Sequence, residues 1–158
     1  MSGPTRARWT HVALPAGDID ASVDWYTAFT PLVVVERFSD EHGRSAWLAN
    51  PDESEHPFVL VLVDFAARHG SPQPQLAPFA HLGVELPARG DVDDIAARGS
   101  AAGCLAGEPM DLPPPVGYIC SLRDPAGNVV EFSHGQQVHE LVRRRAEGAA
   151  SDRPAPPD

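Results

Sequence analysis

The chain predicts an α+β protein built from two β-α-β-β-β modules, and three observations carry that expectation. A histidine heads two similar segments, Thr10-His11-Val12-Ala13-Leu14-Pro15 and Ala80-His81-Leu82-Gly83-Val84-Glu85-Leu86-Pro87, with the histidines 70 residues apart. Each segment leads into a stretch of helical apolar spacing, and each helix gives way to β-rich runs separated by turn residues. A repeat at that period is one fused pair rather than a solenoid.

Arg8 to Pro15 alternates as a strand, after which Asp18 is an N-cap and Ile19, Val23, Tyr26 and Phe29 recur on one helical face. Pro31 closes that helix. Strands are expected over Leu32 to Phe38, Ser45 to Ala49 and Phe58 to Phe65, divided by Asp40-Glu41-His42-Gly43 and Asn50-Pro51-Asp52. Ala66 to Pro78 contains Gly70, Pro72, Pro74 and Pro78, whose prolines withhold backbone donors, and it reads as the connection between modules at about 8–65 and 79–134. The second module offers a strand from Phe79 to Leu86, a helix from Val92 to Ala102, a weak strand around Leu105, a strand from Val116 to Leu122, the turn Asp124-Pro125-Ala126-Gly127-Asn128 and a strand from Val129 to Ser133. Gln137 to Arg145 forms a short last helix. Residues 1–146 make one domain, and 147–158, rich in Gly, Ala, Pro and Asp, is expected to be a disordered tail.

A chain of 158 residues with 42% hydrophobic content can bury one sizeable core. The net charge of -10 opposes nucleic acid and anionic lipid, so a small-molecule substrate is the expected partner. No apolar run approaches the ~20 residues a membrane helix needs, and no basic-then-apolar leader is present. A cytoplasmic location is expected. Cys104 and Cys120 have no tight spacing, which reads as two reduced, packed thiols. The oligomeric state is open, with a homodimer compatible.

His11 and His81 at equivalent repeat positions, with Glu131 between Val130 and Phe132, supply two imidazoles and a carboxylate suited to one divalent metal. A carboxylate in so apolar a strand needs a compensating cation or donor, and Arg123 is the competing partner. Tyr118 shares a strand face with Cys120 and is a candidate catalytic phenol; His69, in the connection, is a candidate base. His134 falls on the face opposite Glu131, and His42, His56 and His139 fall in turns or the last helix. These read as non-ligands.

The His-Val-Ala-Leu opening, the helix Asp-Ile-Asp-Ala-Ser-Val-Asp-Trp-Tyr and the ending Asp124-Pro125-Ala126-Gly127-Asn128-Val129-Val130-Glu131 resemble the vicinal oxygen chelate superfamily, over nearly the whole chain to about Gln136. Its members include glyoxalases, extradiol dioxygenases, fosfomycin-resistance enzymes, epimerases and bleomycin-sequestering proteins. The resemblance implies curved sheets around one metal-containing cavity, with ligands on the first and last strand of each module. His11, His81 and Glu131 match three of those positions. The fourth falls in Val59-Leu60-Val61-Leu62-Val63, which cannot coordinate, and this departs from the four-ligand glyoxalase pattern. Three protein ligands leave positions for substrate and dioxygen, which favours iron(II), with manganese, zinc, nickel and cobalt as other options. The implied function is a metal-dependent enzyme on a substrate with vicinal oxygens, foremost an extradiol-type dioxygenase. A tyrosine usual in that class ten residues before the glutamate is Ser121 here, and Leu112 to Val116 lacks its histidine. A glyoxalase-like isomerase or lyase is the alternative enzyme. A metal-free antibiotic-sequestering protein, its cleft lined from Trp9, Trp25, Trp47, Phe38 and Tyr118, is the alternative binder.

Overall fold

Strand β1 (His11–Pro15) leads into helix α1 (Ile19–Phe29), followed by β2 (Val33–Asp40), β3 (Gly43–Ala49) and β4 (Val59–Asp64). The second module runs β5 (His81–Glu85), α2 (Arg89–Ala101), β6 (Leu105–Leu112), β7 (Gly117–Arg123) and β8 (Val129–His134), and α3 (Val138–Ser151) follows. The computed structural model describes residues 10–41, 43–52, 57–64, 75–77 and 80–151. Arg8, Trp9 and Phe79, read as strand residues, and most of the connection lie outside these. The α+β fold of two like modules is as the sequence led us to expect, carried by two four-stranded sheets of order β1-β4-β3-β2 and β5-β8-β7-β6.

Register fixes what each face of the first sheet carries. β1 runs parallel to β4 with His11 opposite Val59 and Ala13 opposite Val61. β3 lies antiparallel between β4 and β2, pairing Trp47 with Val61 on one side and with Glu36 on the other. Residues opposite one another share a face, so His11, Ala13, Ala49, Val61, Trp47 and Glu36 project to one side. Leu14, Ala46, Leu48, Leu60 and Leu62 project to the other, where they are buried with Ile19, Val23 and Tyr26 of α1. Burying each large aliphatic side chain contributes about 1.5–3 kcal/mol, and this layer is the core of the first module. A bulge between Val34 and Glu36 shifts β2 by one residue and brings Phe38 opposite Ser45, onto the face of Trp47.

Helix α1 starts as its sequence directs, with Asp18 Oδ1 accepting from the Ala21 N–H at 3.0 Å. It stops at Thr30, whose N–H and hydroxyl both donate to the Tyr26 carbonyl, at 3.0 and 2.6 Å. Helix α2 begins at Arg89, earlier than the apolar spacing suggests. Ala88 has no side-chain acceptor for a cap, and the Asp91 carboxylate instead accepts the Ala88 N–H at 2.9 Å.

The weak strand foreseen at Leu105 is a full eight-residue strand, Leu105–Leu112. It is the edge of its sheet, where Pro109 can lack an N–H without breaking a ladder on both sides. At the start of β7, Gly117 has φ of +88°, and a Cβ there would meet the His134 carbonyl oxygen at 2.5 Å, so only glycine is accommodated. The last helix continues through Ser151 rather than ending at Arg145, and the rest of the expected tail, 152–158, lies outside the described residues. Glu140 pairs with Arg143 and Arg144 at 2.7 Å each, and the following alanines favour propagation.

The chain divides into two compact units, 1–82 with 122–130, and 83–121 with 131–158. The segment around the Asp124–Asn128 turn thus belongs with the first module. Tyr26 Oη donates to buried Asp124 Oδ2 at 2.9 Å, and the same carboxylate accepts from the N–H of Ala126 and from the N–H and Nδ2 of Asn128. Asn128, fully buried, accepts from the N–H of Gln75 and of Leu76 through Oδ1. Among the described residues no helix is long and apolar enough to cross a membrane.

Candidate metal centre

His11 is the first residue of β1 and His81 the first of β5, each exposed at the head of its strand. His11 Nδ1 lies 2.9 Å from the Thr10 hydroxyl. The Thr10 hydroxyl can accept from a protonated Nδ1, which leaves the Nε2 lone pair free, or donate to a bare Nδ1. Glu131 stands on β8, the strand next to β5 in the sheet order, and is half-buried. The Gln136 amide donates to Glu131 Oε1 at 3.1 Å. A partner of this carboxylate is therefore a neutral amide on its own unit.

In chemistry this donor set fits a divalent cation: two imidazoles, one carboxylate, and an outer polar group on one imidazole and on the carboxylate. Among the described residues, no three His, Cys, Asp or Glu side chains gather into a metal-binding group. Opposite His11, β4 places Val59.

The two candidate catalytic residues fare differently. His69 lies outside the described residues, as do His42 and His56. Tyr118 does share a face with Cys120, but that face is turned to α2. Its hydroxyl donates to Asp93 at 2.6 Å, while the Arg89 guanidinium lies 3.5 Å from its ring centroid and clasps Asp111 at 2.6 and 2.7 Å. The hydrogen bond to the Asp93 carboxylate raises its pKa, so the phenol is a committed donor. Cys120 Sγ points to the Val92 carbonyl at 3.6 Å on the same side. Tyr118 therefore staples α2 to its sheet.

His134 Nδ1 turns to the Leu86 carbonyl at 3.1 Å, beside a shallow cavity of about 370 Å³ lined by Glu85, Leu86, Pro87, His134 and Gly135. Of the aromatic residues considered for a cleft, Trp25 packs within α1 against Tyr26 and Phe29, at 5.0 and 5.1 Å between centroids. Trp47 and Phe38 stand on the face of His11. Thr10 and Gln136 are the residues that sequence reasoning passed over. Their only signal was adjacency, one residue before His11 and five after Glu131.

Residues 8–132 match the Glyoxalase/Bleomycin resistance protein/Dioxygenase superfamily, and the chain belongs to it. It is 42% identical over 130 residues to the uncharacterized protein PA2024 of Pseudomonas aeruginosa, a match covering 82% of this chain and 89% of that one. The fold is shared with Leishmania major glyoxalase I (TM-score 0.60, 17% identity, 92% of this chain and 99% of that one). It is also shared with TnmS3, an antibiotic binding protein from Streptomyces sp. CB03234 (TM-score 0.62, 22% identity, 84% and 98%).

Proposed function

We propose that this protein is a metal-dependent enzyme that acts on a small substrate through two adjacent oxygens, with His11, His81 and Glu131 as metal ligands. The observation that carries the proposal is the pair of outer contacts, Thr10 on His11 and Gln136 on Glu131, because ligands in metal sites are oriented by such partners. Iron(II), the favoured metal, would supply Lewis acidity to both substrate oxygens and redox chemistry toward dioxygen. The chain's part would be to hold the His11 imidazole and the Glu131 carboxylate beside Thr10 and Gln136. An extradiol-type dioxygenase is the leading form. The hydroxyl of Tyr118 is engaged as a donor to Asp93.

The test is elemental analysis of anaerobically purified protein, followed by oxygen uptake of the iron-loaded protein on a panel of catechols. The proposal expects near-stoichiometric iron capacity and oxygen consumption, with metal lost in His81→Ala while the fold survives. Turnover of an oxo-aldehyde panel under argon with a non-redox metal would replace the dioxygenase with an isomerase or lyase. A second reading, a metal-free protein that sequesters a flat apolar compound, is favoured by the exposed Phe38–Trp47 pair and by the fold shared with an antibiotic binding protein. Binding of a flat apolar compound by a wild-type protein that takes up no divalent metal would favour it.

A further inference from the structure

We infer that the last helix, α3, is a clasp whose docking is coupled to the candidate metal centre, with Gln136 as the link between the helix and Glu131. The inference takes from the preceding reading only that Glu131 is a metal ligand. Residues from 133 onward, the whole of α3 included, lie beyond the stretch that matches the superfamily, so the clasp is an addition to the shared fold.

Burial does little to hold this helix. Its apolar stripe, Val138, Leu141 and Val142, recurs at helical spacing yet is 51%, 47% and 64% exposed. The attachment is polar and lies just before the first turn. Gly135, at φ of +73°, redirects the chain at the end of β8, and this bend is seated against Gly117, where a Cβ would meet the Gly135 carbonyl oxygen at 3.1 Å. The Gln136 side-chain amide then donates to Glu131 Oε1 at 3.1 Å, and the Gln137 N–H donates to the Pro115 carbonyl at 2.9 Å. The Gln137 carbonyl in turn accepts the Leu141 N–H at 3.0 Å, which closes the first turn of α3. A continuous path of hydrogen bonds and one peptide unit thus runs from the Glu131 carboxylate into the helix.

A helix of 14 residues is marginal by itself in water, so with its stripe exposed it opens readily once a tether is lost. A Glu131 carboxylate fixed by a cation keeps Oε1 in place for the Gln136 amide, and α3 then stays docked. By reciprocity, the docked helix must raise affinity for the cation by the same factor.

Arg143 and Arg144 are exposed on α3, and trypsin can cut after them only when the helix opens, so the cutting rate reads its release. Manganese(II) alone is the probe, and mass spectrometry counts chains ending at Arg143 or Arg144. Saturating ion should slow their appearance about fivefold in wild type. Gln136→Leu should be cut about threefold faster than metal-free wild type, and saturating ion should not slow it. Leu141→Pro removes the N–H that closes the first turn, and should lower manganese(II) affinity about threefold to tenfold in competition with a chromogenic chelator. Leu141→Ala keeps that N–H and should leave the affinity unchanged. Equal cutting of wild type with and without bound ion overturns the inference, as does Gln136→Leu cut at the wild-type rate or Leu141→Pro with unaltered affinity. Failure of the metal reading shows separately, as protein that takes up no manganese(II) while Gln136→Leu is still cut faster than wild type.

Discussion

The hydroxyl of Tyr26 donates to the carboxylate of Asp124 at 2.9 Å, a buried bond across 98 residues of sequence. Burial, reinforced by the Asp124 charge, holds the phenol protonated far above its ordinary range, so it serves as a permanent donor. Tyr26→Phe leaves Asp124 its three other donors and should cost about 1–2 kcal/mol. Asp124→Ala strands the Tyr26 hydroxyl, the Asn128 amide and two turn N–H groups, and should cost about 3–5 kcal/mol. Urea unfolding of the two variants checks the order. Equal losses would mean that the carboxylate matters only as the acceptor of Tyr26.

Ser22 offers the opposite case. Its hydroxyl is buried on α1, 1% exposed, and has no hydrogen-bond partner among the described residues. Ser22→Ala removes an unsatisfied polar atom and adds helix propensity, so it should raise stability by up to about 1 kcal/mol. A higher urea midpoint with an unchanged slope is the expected result.

Burial, followed by the charges of Asp93, Glu108 and Glu131, pushes the Cys120 thiol up to about 11. The folded chain then holds this proton more tightly than the unfolded chain, whose thiols ionise near about 8.5. The resulting stability is fully present below that value and is lost as pH rises through about 11, a change on the order of 2 kcal/mol. Comparing unfolding at pH 8 and pH 11, wild type should lose this much more than Cys120→Ala. Parallel losses would show that the thiol is not protected.

If Thr10 and Gln136 orient ligands, Thr10→Val and Gln136→Leu should each lower metal affinity about 10- to 100-fold. Competition with a chromogenic chelator measures this without any substrate. Thermal melts of the metal-free variants should stay close to wild type, because Thr10 is exposed and Gln136 lies beyond the end of β8.

Much of the architecture was legible because it rests on local rules. Asp18 caps α1 by its own hydrogen bond, and the apolar runs of β4 and β8 mark strands largely buried against the core. β6 was read too short because Pro109 and two acidic residues lower its strand character, and only its edge position explains their tolerance. Family membership could be read from the repeated histidine segments and the Asp124 to Glu131 ending. The role of Tyr118 could not, because Asp93 and Arg89 are 25 and 29 residues away in sequence and meet it only through α2 packing. Likewise, the bulge that brings Phe38 beside Trp47 leaves no mark in a period-two pattern.

The assignment of 122–130 to the unit otherwise made of 1–82 bears on how the chain is synthesised. As the first module leaves the ribosome, Tyr26 is to be buried under α1 with its hydroxyl unanswered, and Asp124 and Asn128 have yet to be translated. At about 5–20 residues per second, the wait for those 98 residues is roughly 5–20 seconds. During that interval the Tyr26 hydroxyl lacks its Asp124 acceptor. A gene fragment ending in the connection would be left permanently in that state, so the two sequence modules are repeats in pattern without being separable halves in biosynthesis.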